Sequence, residues 1–202
     1  ASPTLPAKFR GRLTVTSHLV DKSKEYPPWR RVIDVSYDLG AGRAKATVVE
    51  GYEAGRTYIR HYGDVKEEYM VKTGRFPGCQ RSYLGEAMPP PAFPALTYDR
   101  VATVGDFPAR VFVARDGPSL VSVYDAAVAA DLHVPLRLDS DMVTDDGSVE
   151  KLSTFQWSNL VLDPEWGEAE FDIPPPHHSR KNCTRHVGGF PYLHLFHHYL
   201  RV

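Results

Sequence analysis

Apolar and polar residues alternate with a period of two from Phe9 to Val20. Phe9, Gly11, Leu13, Val15, Ser17 and Leu19 fall on one side, and Arg10, Arg12, Thr14, Thr16 and His18 on the other. Successive side chains of a strand point to opposite faces, so this run predicts a long strand with one buried face. The alternation returns over Arg31–Tyr37 through Ile33, Val35 and Tyr37, and shorter strands are expected at Arg43–Glu50, Arg56–Tyr62 and Glu67–Val71. Between them lie Asp38-Leu39-Gly40-Ala41-Gly42, Gly51–Gly55 and Gly63-Asp64, the residue types that reverse a chain. Short strands at regular spacing, joined by such turns, describe an antiparallel meander.

Further along, Cys79–Leu84 reads as another strand, and Phe107–Arg115 pairs with Leu120–Tyr124 through Asp116-Gly117-Pro118. Val134–Asp139 and Val149–Trp157 form a second hairpin, closed by the acidic loop Asp139–Asp146, while Asp125–Asp131 is read as an Ala-rich turn. Gly85–Ala95 carries Met88-Pro89-Pro90-Pro91, which cannot join a central sheet. The expected fold class is mainly β: a single curved antiparallel sheet or half-open β-barrel with few short helices, forming one domain over 1–202. Residues 190–202 stand apart as an amphipathic tail, in which Leu193, Phe196, Tyr199 and Leu200 follow helical spacing while an extended course remains open.

Composition narrows the function. The 17 prolines and 15 glycines suit a turn-rich β protein and argue against a helical bundle. Lys plus Arg number 24 against 25 Asp plus Glu, a balance that leaves no electrostatic footprint for nucleic acid. No apolar run approaches the roughly 18 residues that span a bilayer. The two cysteines, Cys79 and Cys183, lie in similar Pro/Gly/aromatic settings, and Asn182-Cys183-Thr184 is a sequon for N-glycosylation. Together with an opening Ala1-Ser2-Pro3-Thr4 that reads as the product of signal-peptide cleavage, these features predict a secreted or organelle-lumenal glycoprotein. In it Cys79 and Cys183 form a disulfide and Asn182 is an exposed acceptor.

From Ser119 onward the order of features resembles the bacterial lipoprotein carriers of the LolA/LolB type and the ependymin-related secreted proteins. The residues that carry this are Val121-Ser122-Val123-Tyr124-Asp125, then Val134-Pro135-Leu136-Arg137-Leu138, the strand Leu152–Trp157, Asn159-Leu160, and Asp163-Pro164 leading to Phe171-Asp172-Ile173-Pro174. Cys79 and Cys183 are similar in placement to one disulfide of the ependymin-related proteins. The resemblance implies a curved antiparallel sheet wrapped around a hydrophobic pocket.

Catalytic patterns are missing from the sequence: it has no Gly-x-Ser-x-Gly, no complete Gly-x-Gly-x-x-Gly, no phosphate-binding loop and no His-Glu-x-x-His. Asp139-Ser140-Asp141 and Asp145-Asp146-Gly147 break the calcium-loop pattern at Val143 and Thr144, so they are read as a solvated hairpin tip. His194 and His198 stand at a metal-ligating spacing if the tail is helical, but no third ligand is evident, and neither metal nor cofactor is expected. The functional expectation is a carrier of a lipid or other small apolar ligand. Leu13, Val15, Ile33, Val35, Tyr58, Val111, Val113 and Leu136 are the candidates to line its pocket, with Met88 and Phe93 on a covering loop. The alternative is an assembly subunit that docks on a larger complex through Phe190, Tyr192, Leu193, Phe196, Tyr199 and Leu200.

Overall fold

The structure, a computed structural model, describes residues 2–18, 29–63, 65–90, 93, 95–177, 179–188 and 190. Its strands are β1 (Lys8–Ser17), β2 (Trp29–Asp38), β3 (Arg43–Glu50), β4 (Arg56–His61), β5 (Glu67–Lys72) and β6 (Gly78–Tyr83). They continue as β7 (Thr97–Val104), β8 (Phe107–Asp116), β9 (Ser119–Ala129), β10 (Leu132–Val143), β11 (Val149–Leu162) and the two-residue β12 (Thr184–Arg185). The helical structure among the described residues is one 3-10 turn, Arg180–Asn182. All strands join one 12-stranded sheet in the order β12-β6-β5-β4-β3-β2-β1-β11-β10-β9-β8-β7. Two meanders, β1–β6 and β7–β11, are therefore sewn together where β1 pairs antiparallel with β11. The mainly β, curved-sheet expectation holds.

Register explains the core. Leu13 lies opposite both Ile33 and Trp157, Val15 opposite Phe155, Phe9 opposite Tyr37, and Val35 opposite Ala46. Directly opposed residues share a face, so these side chains form one apolar inner face, and they belong to one buried cluster with Tyr58, Met70 and Leu138. Phe9 stacks on Tyr37 at 5.3 Å and meets Trp157 edge-on at 5.4 Å. The outer face carries the alternating polar set; there Arg12 forks onto Asp34 at 2.7 and 2.9 Å.

Two connections cover the sheet. The β6–β7 connection crosses the inner face, where Tyr37 Oη donates to the carbonyl of Pro89 at 2.6 Å and Phe93 is buried in the core. The chain after β11 runs over the outer face of β2–β4. Trp166 Nε1 donates to Asp38, Ser36 Oγ to Glu170, and His61 Nε2 to the carbonyl of Phe171. Ile173 then joins Ile59, Tyr69, Val71 and the two cysteines in a second, smaller core. Cys79 and Cys183 are bonded, and β12 lies parallel along β6. Beyond it the chain turns around the β6 edge to the inner face: Ser82 Oγ donates to the carbonyl of Gly188, and the Phe190 N–H donates to Glu68 at 2.8 Å. We call residues 163–190 the strap.

Several boundaries differ from expectation for local reasons. The Ala-rich stretch Asp125–Asp131 is not a turn. β9 runs to Ala129 because Ala126 is fully buried opposite Val134, and reversal waits for Ala130 and Asp131. Asp139 and Asp141 do not sit at a solvated tip but inside β10, both buried, with the turn delayed to 144–148. Thr97–Val104, to which the sequence pattern assigns no element, is the edge strand β7, closed onto β8 by the two-residue turn Gly105-Asp106 with Gly105 at φ 56°. β11 continues past Trp157 to Leu162 through a bulge. Tyr192, Leu193, Phe196, Tyr199 and Leu200, with His194 and His198, lie outside the described residues.

Candidate ligand-binding cleft

Two bulges shape one end of the inner face. On β11, Phe155 and Trp157 point inward at odd positions. Beyond the Arg12–Ser158 pair the β1 register slips between Arg10 and Arg12, and Asn159 adopts φ 51°. After that slip Leu160 and Leu162 take over the inward phase, Leu162 lying opposite Phe9. Gly11 makes this possible: a Cβ there would stand 2.8 Å from Leu160 Cδ1 and 3.2 Å from Trp157 Cε3. On β10 the second bulge falls between Pro135 and Arg137, leaving Leu136 as the extra residue. A proline lacks the N–H that a ladder needs, and bulges re-aim the side chains beside them.

The β7–β8 hairpin tip closes the third side. Val104, Gly105, Asp106 and Phe107 stand over Val128 of β9, Leu136, and the β11 stretch 156–160 with Leu162, and together they enclose a cleft of about 440 Å³. Its body is aliphatic and aromatic; its lining also includes Gln156, Ser158, Asn159 and Asp106, all exposed to solvent. Small-molecule sites commonly occupy roughly 300–1,000 Å³ with this kind of lining. Two other hollows are more polar. One of 270 Å³ on the outer face is lined by Arg10, Arg12, Asp34 and Ser36. The other, of 500 Å³, lies between Lys45, Thr47 and Thr57 and the strap residues Glu170, Asp172 and Ile173. In the last, Lys45 is already committed to Glu170 at 2.9 Å.

The residues named from sequence are distributed unevenly around these sites. Leu136 lines the cleft. Leu13, Val15, Ile33, Val35, Tyr58 and Phe93 are buried against one another in the core, with Met88 packed on it. Val35 also reaches the outer hollow, Val111 is fully buried, and Val113 is half-buried. Burial pushes the Tyr58 phenol up to about 12, with Arg56 opposing and Glu53 assisting, so it stays neutral. Asn182 is exposed. Phe190 is buried near Tyr58, ring centroids 6.5 Å apart, and so is no part of an exposed docking surface. The cleft residues that sequence reasoning missed had a signal: the apolar phase shifts by one between Trp157 and Leu160, and a proline interrupts a central strand at Pro135.

Among the described residues no group of His, Cys, Asp and Glu is placed to hold a metal ion. Asp139 is held by Arg137 in two bonds of 2.9 Å, and Tyr124 lies close enough that Asp139 contributes to raising its phenol, after burial. Asp141 has a buried Oδ1 without a hydrogen-bond partner; burial, and then the charge of Asp139, raises its carboxyl above the ordinary range. No described helix is long and apolar enough to cross a membrane.

Solved structures supply the comparison. An uncharacterized conserved protein from Thermus thermophilus superposes with a TM-score of 0.54 at 13% identity, covering 88% of this chain and 90% of that one. It shares the fold. A LolA superfamily protein from Nitrosomonas europaea aligns with a TM-score of 0.43 at 10% identity over 85% of this chain and 92% of that one. No family model matches the chain, and no curated protein matches it in sequence.

Proposed function

We propose that this chain is a binding protein that carries a lipid or another small apolar ligand, with no covalent chemistry of its own. The cleft carries this reading: two bulges and a hairpin tip leave a space of about 440 Å³ lined by Val104, Phe107, Val128, Leu136, Leu160 and Leu162. A ligand chain entering it removes apolar area from water on both surfaces, at about 25 cal/mol per Å². The resemblance of 119–174 to the LolA-type carriers motivates the same reading. The Cys79–Cys183 bond and the exposed sequon at Asn182 favour an oxidising compartment, secreted or lumenal.

The test is a fluorescence titration with Nile red, a neutral apolar reporter. Saturable binding is expected, at least tenfold weaker in Val128→Trp, which fills the cleft, and unaltered in Thr14→Val on the outer face. Equal binding by all three proteins, each verified as folded by circular dichroism, would remove the cleft as the site.

A further inference from the structure

The two ends of the sheet are finished differently. At one end lies the two-residue β12, with the strap running on from it. At the other stands β7, which among the described residues pairs on one side only, with β8. Along β7 only Ala102 and Val104 are not exposed, and the exposed side chains include Tyr98 at 56% and Val101 at 70%. The unpaired N–H and C=O groups of such an edge are ready to pair with another strand, and natural edges are blunted by charges and bulges. Both devices are present here, but at one end of the strand. The register slips between Tyr98 and Arg100, and Asp99 and Arg100 pair with each other. From Val101 to Val104 the edge is uncharged and its register regular.

We propose that β7 is a self-pairing edge, where a second copy of this chain adds antiparallel about a two-fold axis at Ala102. The register follows from which backbone groups are free. A hydrogen-bonded pair flanks a two-residue hairpin turn, so Val104, opposite Phe107, and by alternation Ala102 turn their groups toward β8. Val101 and Thr103 turn theirs outward. Pro108, which has no N–H to give, stands opposite Thr103, where β7 asks for none. Centring on Ala102 sets Val101 of each copy against Thr103 of the other, and both of these pairs exchange bonds. Centring on Arg100 opposes like charges, which destabilises a ladder. Centring on Val101 or Thr103 keeps one bonded pair, because the next contact falls on Asp99 at the bulge or on Gly105 in the turn. In the Ala102 register the two Ala102 residues meet at the close, non-hydrogen-bonded separation of about 4.5 Å, which a methyl group accommodates. Arg100 then lies diagonal to Asp106 of the second copy, an opposite-charge contact made twice by symmetry. The patch is small, so the dimer is a weak one. It adjoins the cleft, which Val104 and Asp106 also line, but does not depend on what the cleft binds.

Cysteine cross-linking reads the register directly, because Cys79 and Cys183 are already bonded to each other and leave no free thiol in the chain. Under mild oxidation Ala102→Cys is expected to give a covalent dimer on non-reducing gels. Thr97→Cys, on the same strand but far from the two-fold axis, is expected to stay monomeric. In sedimentation equilibrium the wild-type chain is expected to associate. Thr103→Pro removes an outward N–H without touching the β8 ladder, and is expected to be monomeric with an unchanged circular dichroism spectrum. Arg100→Glu should weaken association about three- to tenfold, and adding Asp106→Lys should restore it. An Ala102→Cys chain that stays monomeric at about 1 mM protein overturns the proposal. So does equal cross-linking through Thr97→Cys, or undiminished association of folded Thr103→Pro.

Discussion

Single residues show where this sheet is held away from its own optimum. Asp141 is 8% exposed, and its Oδ1 has no partner. Burial first, and then the charge of Asp139, raises its carboxyl above the ordinary value. A raised value in the folded state means that folding favours the protonated form. That contribution is fully present below the unfolded-state value, near 4, and is lost as pH rises through the folded value. Asp141→Asn removes the charge and keeps the shape. It is expected to raise the melting temperature at pH 7, by about 2–4 °C for each kcal/mol gained, with the gain shrinking toward pH 4; a shift equal at both pH values would refute the electrostatic cause. Gly51 is constrained by backbone instead. At φ 91° a Cβ would collide with the carbonyl oxygen of Arg30, so no side-chain rotation relieves it. Gly51→Ala is expected to cost about 2–4 kcal/mol in urea unfolding, more than left-handed strain of roughly 1–3 kcal/mol alone. Neither effect is visible in sequence: Asp141 reads there as a polar hairpin residue and Gly51 as an ordinary turn glycine.

At the level of elements, strands with one polar face were legible because alternation reports burial directly, and β1 to β6 follow the expected runs closely. β7 was missed although Thr97–Val104 ends on Gly105-Asp106, a two-residue turn signal, because an edge strand with nearly all its side chains exposed leaves no apolar alternation to read. Of the strap only the Cys79–Cys183 bond was legible, since nothing periodic marks the rest. Its anchors are individual contacts. Arg180 forks onto Glu67 at 2.6 Å twice, and Cys183 bonds Cys79 across a separation of 104 residues. Burial works against ionisation of Glu67, but the hydrogen bonds from Arg180 and Tyr69 and the charges of Arg180 and Arg81 outweigh it and lower its carboxyl. Replacing both cysteines by serine should cost about 2–5 kcal/mol. Amide exchange is expected to rise first over 179–190, with β1 to β3 still protected; uniform loss of protection would show that the bond holds the whole sheet and not one strap.

On the scale of the whole molecule, local pattern names the strands but not the seam. Nothing in the residues of β1 says that one of its two edges belongs to β2 and the other to β11, since alternation fixes which face is buried and leaves the partner open. The cleft depends on that seam, because the Asn159 slip exists only against β1. This explains why the sequence-derived pocket residues fall mostly in the packed core. Topology of this kind, rich in pairings between distant segments, predicts folding in milliseconds to seconds. Stopped-flow refolding should show substitutions at the seam, such as Val15→Ala, acting mainly on the unfolding rate if β1–β11 closes late. The seam also sets a waiting time during synthesis. β1 ends at Ser17 and its partner begins at Val149, so at roughly 5–20 residues per second the first strand leaves the ribosome some seconds to half a minute before its second neighbour exists. Throughout that interval the ladder edge of β1 is an open invitation to strands of other nascent chains, and any helper that shields this edge is needed early in translation, not at its end.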